Sequence, residues 1–482
     1  MMPQPTRKVK FPPHKTKIVC TIGPASSSES VIEELIKKGM SVARLNFSHG
    51  NIEEHRRNIR RIRSAASKVG RIVAILTDLP GPKIRVGTLR TEPVTLNRGD
   101  DVTLTTKDVL GTSSLIPLDR KELPEYVSLR KLIYLNDGFI QLEVREVDGD
   151  EIKCRVIIGG ELLSHKGINL PGTKLPLDPV TDKDLDFLQF GLEEDVDAFS
   201  VSFVEKAGDI IKVKDFAEKM GKSAFVVAKV ERETAVENID EILKAADGLM
   251  VARGDLGTEI PIEEVPGVQK KLIRRANLFS KPVITATQML ESMLQNIRPT
   301  RAEVTDVANA ILDGSDAVML SEETALGRYP VESVEMVAKI AKSIERQRHT
   351  LGPRWDLKEQ WSKGGEGATV EDAISLNAVE DSRTLRVRFI LTPTHSGSTP
   401  RRVSRFKPDC WVLSFSENER VRNFLALSYG VYPFLVNDEK DHDKIIALVK
   451  ESGLAKKGDK VILTAGVSPQ AGGTDSLRII TL

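Results

Sequence analysis

Eight short runs, each apolar on both faces, punctuate the first 345 or so residues and limit the fold more than any other feature. They are TKIVCTIG from Thr16, VARLNF from Val42, RIVAILTD from Arg71, DAFSVSF from Asp197, AFVVAKVE from Ala224, GLMVARG from Gly248, PVITAT from Pro282 and DAVML from Asp316. A strand with one wet face alternates apolar and polar residues. These do not, as strands buried in a parallel sheet must not. Helical patterns fill the intervals: SSESVIEELIKKG opening at Ser27, IEEHRRNIRRIRSAASKVG from Ile52, AVENIDEILKAADG from Ala235 and VESVEMVAKIAKSIERQR from Val331. Eight strand–helix units in about 250 residues match an α/β fold of the (β/α)8 TIM-barrel type, with an open doubly wound sheet as the alternative.

Two further units interrupt and follow the barrel pattern. After the third run the text turns to Gly-punctuated, period-two stretches such as PVTLNRGDDVTLTT and KLIYLNDGFIQLEVREVDGDEIKCRVIIGG. These read as a small all-β domain inserted between a strand and its helix, at the barrel mouth where it acts as a lid. From residue 347 the segment GPRWDLKEQWSKGGEGAT breaks the periodicity as a connector, with Trp355 and Trp361 as packing or surface residues. Strand runs RVRFILTPT, DCWVLSFS, VYPFLV and KVILTAG then alternate with helices, which predicts a C-terminal doubly wound α/β domain. The expected division is an N-terminal segment at 1–15, the barrel at 16–81 and 180–346, the β lid at 82–179, and the C-terminal domain at 347–482.

Composition excludes several classes of function. Lys plus Arg number 70 against 69 Asp plus Glu, a net charge of +1, which leaves no electrostatic footprint for nucleic acid or a membrane surface. Cys20, Cys154 and Cys410 are widely spaced and form no CxxC pair, so neither a zinc site nor a disulfide framework is expected. No apolar run of about 18 residues occurs to span a membrane. The basic opening MMPQPTRKVKFPPHKTK has no apolar core of the secretory kind, and a cytoplasmic location is expected.

In a barrel of this kind, residues at the C-terminal ends of the strands face the active site. The second strand brings Arg44, Asn46, Ser48 and His49 there, the third Asp78, the fifth Lys229 and Glu231, the sixth Gly254 and Asp255, the seventh Thr287 and the eighth Ser321. Any one could be a solvated strand end. As a set they are hard to dismiss, because Arg44 and Lys229 lie in apolar strands, and a charge buried there must be paired or functional. Glu231 and Asp255 suit a Mg²⁺ ion that keeps several waters or substrate oxygens. Arg44 and Lys229 suit the charge spreading over a transferring phosphoryl group. Neither a P-loop nor the protein-kinase signature set is present.

Six blocks carry a specific resemblance: TKIVCTIGPASSS, ARLNFSHG, KVERETAVENIDEIL, DGLMVARGDLG, KPVITATQMLESM and RPTRAEVTDVANAILDGSDAVMLSEETA. Their order and spacing resemble those of pyruvate kinases over essentially the whole chain. The resemblance implies transfer of the phosphoryl group of phosphoenolpyruvate to ADP, giving pyruvate and ATP, the last step of glycolysis. It implies Arg44 on the substrate phosphate, Lys229 on the transferring phosphoryl and developing enolate, and Glu231 and Asp255 on Mg²⁺, with Mn²⁺ as a substitute. Gly254 would contact substrate through its backbone, and Thr287, with Ser321 behind it, would lie on the proton path. Asn46, Ser48, His49, Arg85 and Lys166 would approach the nucleotide. Thr392, Thr394, Ser396, Gly397, Ser398 and Thr399 would cradle a phosphorylated allosteric effector, and the assembly would be a homotetramer. Rival readings are another phosphoenolpyruvate or pyruvate barrel enzyme, a C–C lyase or mutase, and a catalytically silent metabolite sensor. The lyases and mutases lack the lid and C-terminal domain, and the intact polar set argues against a silent relative.

Two departures refine the expectation. Many pyruvate kinases hold K⁺ with counterparts of Asn46, Ser48, Asp78 and a Thr, in a block reading DTKGPEIR. Here it reads DLPGPKIR, with Leu79 for the Thr and Lys83 for the Glu. One cation ligand is lost and an ammonium is gained near the phosphate path, so the chain resembles the K⁺-independent group and K⁺ is not expected to be required. Members activated by fructose 1,6-bisphosphate place an Arg just before a KKGD-like segment, where Ser452 precedes GLAKKGD here. That bisphosphate is therefore not the expected effector.

Overall fold

The computed structural model of the chain describes residues 9–136, 138–173, 178–351, 368–466 and 473–482. Trp355 and Trp361 lie outside them. Eight parallel strands close the barrel: β1 (Lys17–Thr21), β2 (Met40–Asn46), β3 (Ala74–Leu79), β4 (Ala198–Val201), β5 (Phe225–Val230), β6 (Gly248–Ala252), β7 (Val283–Ala286) and β8 (Ala317–Leu320). All eight expected runs are present, and β1 pairs with β8 to close the ring, which excludes the open sheet.

The surrounding helices start where side chains satisfy their first amides. Asn51, Thr181 and Thr300 form capping boxes with Glu54, Asp184 and Glu303. The first helix differs slightly from expectation, being capped by Ser28 rather than Ser27. The helix expected from Ala235 is two pieces, Glu233–Glu237 and Ile239–Ala245, joined at Asn238. Asn238 is a poor helix former, and its Nδ2 donates to the Glu205 carbonyl at 2.9 Å.

Between β3 and the helix Asp182–Glu193 the chain leaves the barrel for a seven-stranded sheet that runs from Ile84–Arg85 to Gly167–Asn169. Alternating residues of this lid bury their own core, including Leu104, Ile133, Leu142, Val144 and Ile152. The C-terminal domain is a five-stranded sheet: β9 (Phe389–Pro393), β10 (Trp411–Ser416), β11 (Val431–Leu435), β12 (Lys460–Ala465) and antiparallel β13 (Ser476–Thr481), in the order β11-β10-β9-β12-β13.

This domain closes the bottom of the barrel. Phe424, Ala426 and Leu427 join the apolar barrel interior of Val19, Leu76, Val227, Met250 and Ile284. Asp197, just before β4, accepts from Asn423 Nδ2 at 2.8 Å. Asp316, just before β8, accepts from the Tyr429 amide at 2.9 Å and lies 2.8 Å from Lys407 Nζ. With its N-terminal end plugged, the barrel presents its polar groups at the opposite rim. Among the described residues no helix is long and apolar enough to cross a membrane.

Candidate active site

Strands β2 and β3 run in register, with Asn46 opposite Asp78. Side chains alternate across a strand, so Arg44 and Asp78 both turn inward. Arg44 donates through Nη2 to Asp78 Oδ2 at 2.6 Å and through Nη1 to Thr21 Oγ1 at 2.9 Å. Lys229, on β5, lies 3.3 Å from the same Asp78 oxygen and 2.8 Å from Glu231 Oε1, and donates to Ser202 Oγ at 2.8 Å. Ser200 of β4 donates to Asp78 Oδ1. The cluster is nearly dry, with Asp78 and Glu231 side chains each 2% exposed.

Buried charges of this kind persist only by neutralising one another. Burial alone would raise the Asp78 carboxyl, but Arg44 and Lys229 hold it well below the usual carboxylate range. Burial would lower the Lys229 ammonium, and the Glu231 and Asp78 carboxylates outweigh it, keeping it charged. Lys229 is thus a permanent cation in a site of low dielectric, where a fixed charge acts most strongly on a reacting group.

Strand β6 passes directly into the helix Arg253–Glu259, which sets Gly254 and Asp255 on its first turn. Glu231 feels both its burial and the neighbouring Asp255 charge, and these push its carboxyl upward against the pull of Lys229. Two oxygen-only groups that repel in this way are suited to a shared hard cation. Glu231 Oε2 is oriented by the Phe203 amide at 2.7 Å. Among the described residues no set of three or more His, Cys, Asp or Glu is grouped to hold a metal. Two carboxylates, oxygen donors only, fit Mg²⁺, which takes its remaining ligands from water or substrate oxygens.

Thr287 has φ +63°, a conformation costly for a β-branched residue, and Gln288 follows at +52°. The strain is held by bonds on several sides. Thr287 Oγ1 accepts from the Gly254 amide at 2.9 Å and donates to the Ala286 carbonyl at 2.7 Å. Arg253 Nη2 donates to the Thr287 carbonyl at 2.6 Å, while its Nη1 grips Asp306 at 2.6 and 2.8 Å. Ser321 Oγ is buried with no hydrogen-bond partner among the described residues.

The remaining expected residues divide by location. Asn46 Oδ1 accepts from the Ser48 amide at 3.1 Å, and His49 stands exposed at the rim. Arg85 lies on the first lid strand and Lys166 immediately precedes Gly167–Asn169, which pairs with it, and Arg85 Nη1 donates to the His165 carbonyl at 2.9 Å. The Asp78 oxygens are engaged by Arg44, Ser200 and Lys229, and Lys83 reaches a different carboxylate. Its ammonium lies 2.8 Å from Asp255 Oδ1. In the C-terminal domain the expected phosphate cradle is largely committed internally. Thr392 donates to the Leu413 carbonyl, Thr394 Oγ1 accepts from the Gly397 amide, and Thr399 bonds Thr474. Ser396 is exposed and Ser398 half-buried.

Comparison with known proteins decides the family. Residues 13–334 match the family model of the pyruvate kinase barrel domain, and residues 372–480 that of the pyruvate kinase alpha/beta domain. The chain belongs to the pyruvate kinase family. The pyruvate kinase of Thermococcus litoralis is 52% identical over 476 residues, 98% of this chain and 100% of that protein. That of Geobacillus stearothermophilus is 46% identical over 473 residues, covering 96% and 80% of the two chains. That of Staphylococcus aureus is 42% identical over 477 residues, covering 97% and 80%. The expected enzyme class, a phosphotransferase with pyruvate kinase function, stands with the family, as does the barrel with its two appended units.

Several contributors were not singled out from the sequence. Ser200 and Ser202 carried a signal, being two serines at period two in an otherwise apolar run, on the face that turns inward. Arg253 sits inside the VARGDLG block but has no motif of its own that reveals its hold on Thr287. Asn169, which reaches Asp255 Oδ1 at 3.5 Å, comes from the lid and could be found only by folding.

Proposed function

We propose that the rim cluster performs phosphoryl transfer from phosphoenolpyruvate to ADP with Arg44, Lys229, Glu231 and Asp255 as its working groups. The observation that carries this is Lys229, a buried ammonium fixed between Glu231 and Asp78 and sharing Asp78 Oδ2 with Arg44. Arg44 binds the phosphate of the substrate, with its fork already oriented by Asp78 and Thr21. Lys229 stabilises charge on the phosphoryl group in flight and on the enolate left behind. Mg²⁺, held by Glu231 and Asp255 and replaceable by Mn²⁺, supplies Lewis-acid charge to substrate oxygens when bound. The backbone of Gly254 meets the substrate, its position set by Thr287 Oγ1.

Protonation at carbon needs a donor on the other face of the enolate. Thr287 has a hydroxyl already donated to Ala286, so it acts by relaying a proton through water, with Ser321 Oγ behind it. Asn46, Ser48 and His49 on the barrel, with Arg85 and Lys166 on the lid, take the nucleotide when the lid closes. K⁺ is not required, because Asp78 is already compensated by protein cations. A cytoplasmic homotetramer bound by a phosphorylated effector near Ser396, Ser398 and the Gly397 backbone completes the reading, and fructose 1,6-bisphosphate is not that effector. The division into barrel 16–81 and 180–346, lid 82–179 and C-terminal domain 347–482 belongs to it too. The test is pyruvate formation coupled to lactate dehydrogenase, with and without ADP. ADP-dependent pyruvate is expected. Pyruvate formed without ADP would indicate a lyase, and none in either case a silent sensor.

A further inference from the structure

The two carboxylates assigned to the divalent ion each face an ammonium of the chain, and the two ammoniums differ in origin. Lys229, beside Glu231, is fixed in β5 of the barrel. Lys83, 2.8 Å from Asp255 Oδ1, belongs to the lid. It follows Gly81, whose φ of +66° makes the sharp exit from the barrel and whose amide is anchored on Asp184 Oδ1 at 3.0 Å. It immediately precedes the first lid strand, Ile84–Arg85.

The lid is shaped to deliver this side chain. The Lys83 stem passes over Gly167 so closely that a Cβ there would lie 2.6 Å from Lys83 Cε. Two residues on, Asn169 directs Nδ2 to the same Asp255 oxygen at 3.5 Å. Gly138, also of the lid, packs toward Thr258 on the helix that carries Asp255. The lid therefore reaches Asp255 from just before its first strand and from its last, and the strongest of these contacts is a cation on the carboxylate.

An ammonium at hydrogen-bond distance and a divalent ion at a ligand distance of about 2.1 Å repel one another if both hold one carboxylate. We propose that Lys83 is a competing internal cation for the divalent-ion seat, so that metal binding at Asp255 requires the lid lysine to be displaced. The coupling is reciprocal: whatever Lys83 gains from Asp255, the metal must overcome, and the metal in turn frees the Lys83 ammonium for the substrate phosphate. This rests on the assignment of Asp255 as a metal ligand made above.

The test is Mn²⁺ titration of the full-length enzyme without substrates, reading free Mn²⁺ by electron paramagnetic resonance. Lys83→Met and Lys83→Gln are both expected to bind Mn²⁺ at least about 5-fold more tightly than wild type, the lower end of ordinary site-to-site coupling. Lys83→Arg, which keeps the charge, is expected to gain less than 2-fold by the same argument. Asp255→Asn reports on the seat itself and is expected to lose binding. If Asp255→Asn loses binding while both neutral Lys83 variants bind as wild type or more weakly, the competition is refuted and the metal assignment stands. If Asp255→Asn binds Mn²⁺ unchanged, the metal assignment fails and the competition falls with it.

Discussion

Arg44 and Asp78 meet across adjacent barrel strands, with Nη2 2.6 Å from Oδ2 and the carboxylate side chain 2% exposed. Asp78 is the point at which two cations of different strands are neutralised, because Lys229 shares the same oxygen. Removing it should harm the fold as well as the chemistry. Asp78→Asn leaves both cations short of a partner and is expected to cost about 3–5 kcal/mol, the range for breaking a buried pair. The pH dependence has a definite sign. The folded pKa of Asp78 lies below its unfolded value of about 3.9, so its stabilisation is complete above that pH and is lost as pH falls further. Thermal melts of wild type and Asp78→Asn are expected to differ most above pH 4 and to converge in more acidic buffer.

Lys229→Met tests the central cation. A methionine fills the same volume in an apolar strand but leaves Glu231 without its cation, so a lower melting temperature is expected with the barrel still formed. The turnover number is expected to fall at least ~10³-fold, the scale of losing a fixed electrostatic group. Circular dichroism checks the fold and the coupled pyruvate assay the rate. A near-normal turnover number would remove Lys229 from the reaction.

Lys17 gives the joint between barrel and C-terminal domain a pH signature. Its Nζ donates to the Val431 carbonyl at 2.7 Å, and burial lowers its pKa to about 7, opposed by Glu345 and Asp316. The unfolded chain therefore binds the extra proton between about pH 7 and 10, and stability rises with pH across that window. The slope assigned to Lys17 is at most about 1.4 kcal/mol per pH unit. Denaturant melts at pH 7 and 9 should show wild type gaining more than Lys17→Met. An equal gain in both would exclude Lys17 as the source.

Potassium dependence follows from the Lys83 substitution and from the engagement of Asp78 by Arg44 and Lys229. With Mg²⁺ present, activity in tetramethylammonium buffer is expected to be near its maximum without K⁺. Lys83→Glu is expected to make turnover depend on K⁺, by replacing a local cation with an anion. Stimulation of the wild-type enzyme by K⁺ of about tenfold or more, over 1 kcal/mol, contradicts this reading.

The effector region gives the fifth test. Ser398→Glu adds a negative charge where a phosphorylated ligand would approach and is expected to abolish activation while leaving turnover at saturating substrate intact. Calorimetry with fructose 1,6-bisphosphate is expected to show no tight binding, and tight, activating binding would reverse that expectation.

The sequence by itself determined the strands and most of the rim. Runs such as AFVVAKVE declare a buried strand because burial on both faces requires continuous apolar residues, and Lys229 and Glu231 stand out within it because charge there is costly. The start of the first helix was legible to within one residue, Ser28 capping where Ser27 was expected, because a helix end solves a local problem within four residues. Only the tertiary structure decided what those charges touch. Closure brings β1 against β8, pairing Lys17 with Ala317 from far along the chain, and no periodicity encodes which inward-facing side chains then meet. Lys83 was readable as a lysine near a phosphate path, but its place on Asp255 depends on how the lid exits at Gly81 and passes over Gly167. Thr394 and Thr399 read as phosphate ligands in the linear text, and only the folded loop shows that Thr394 Oγ1 also accepts from the Gly397 amide and that Thr399 also bonds Thr474. A hydroxyl advertises its capacity to bond in the sequence, whereas its partner is set by whichever polar group folding leaves within 3 Å or so.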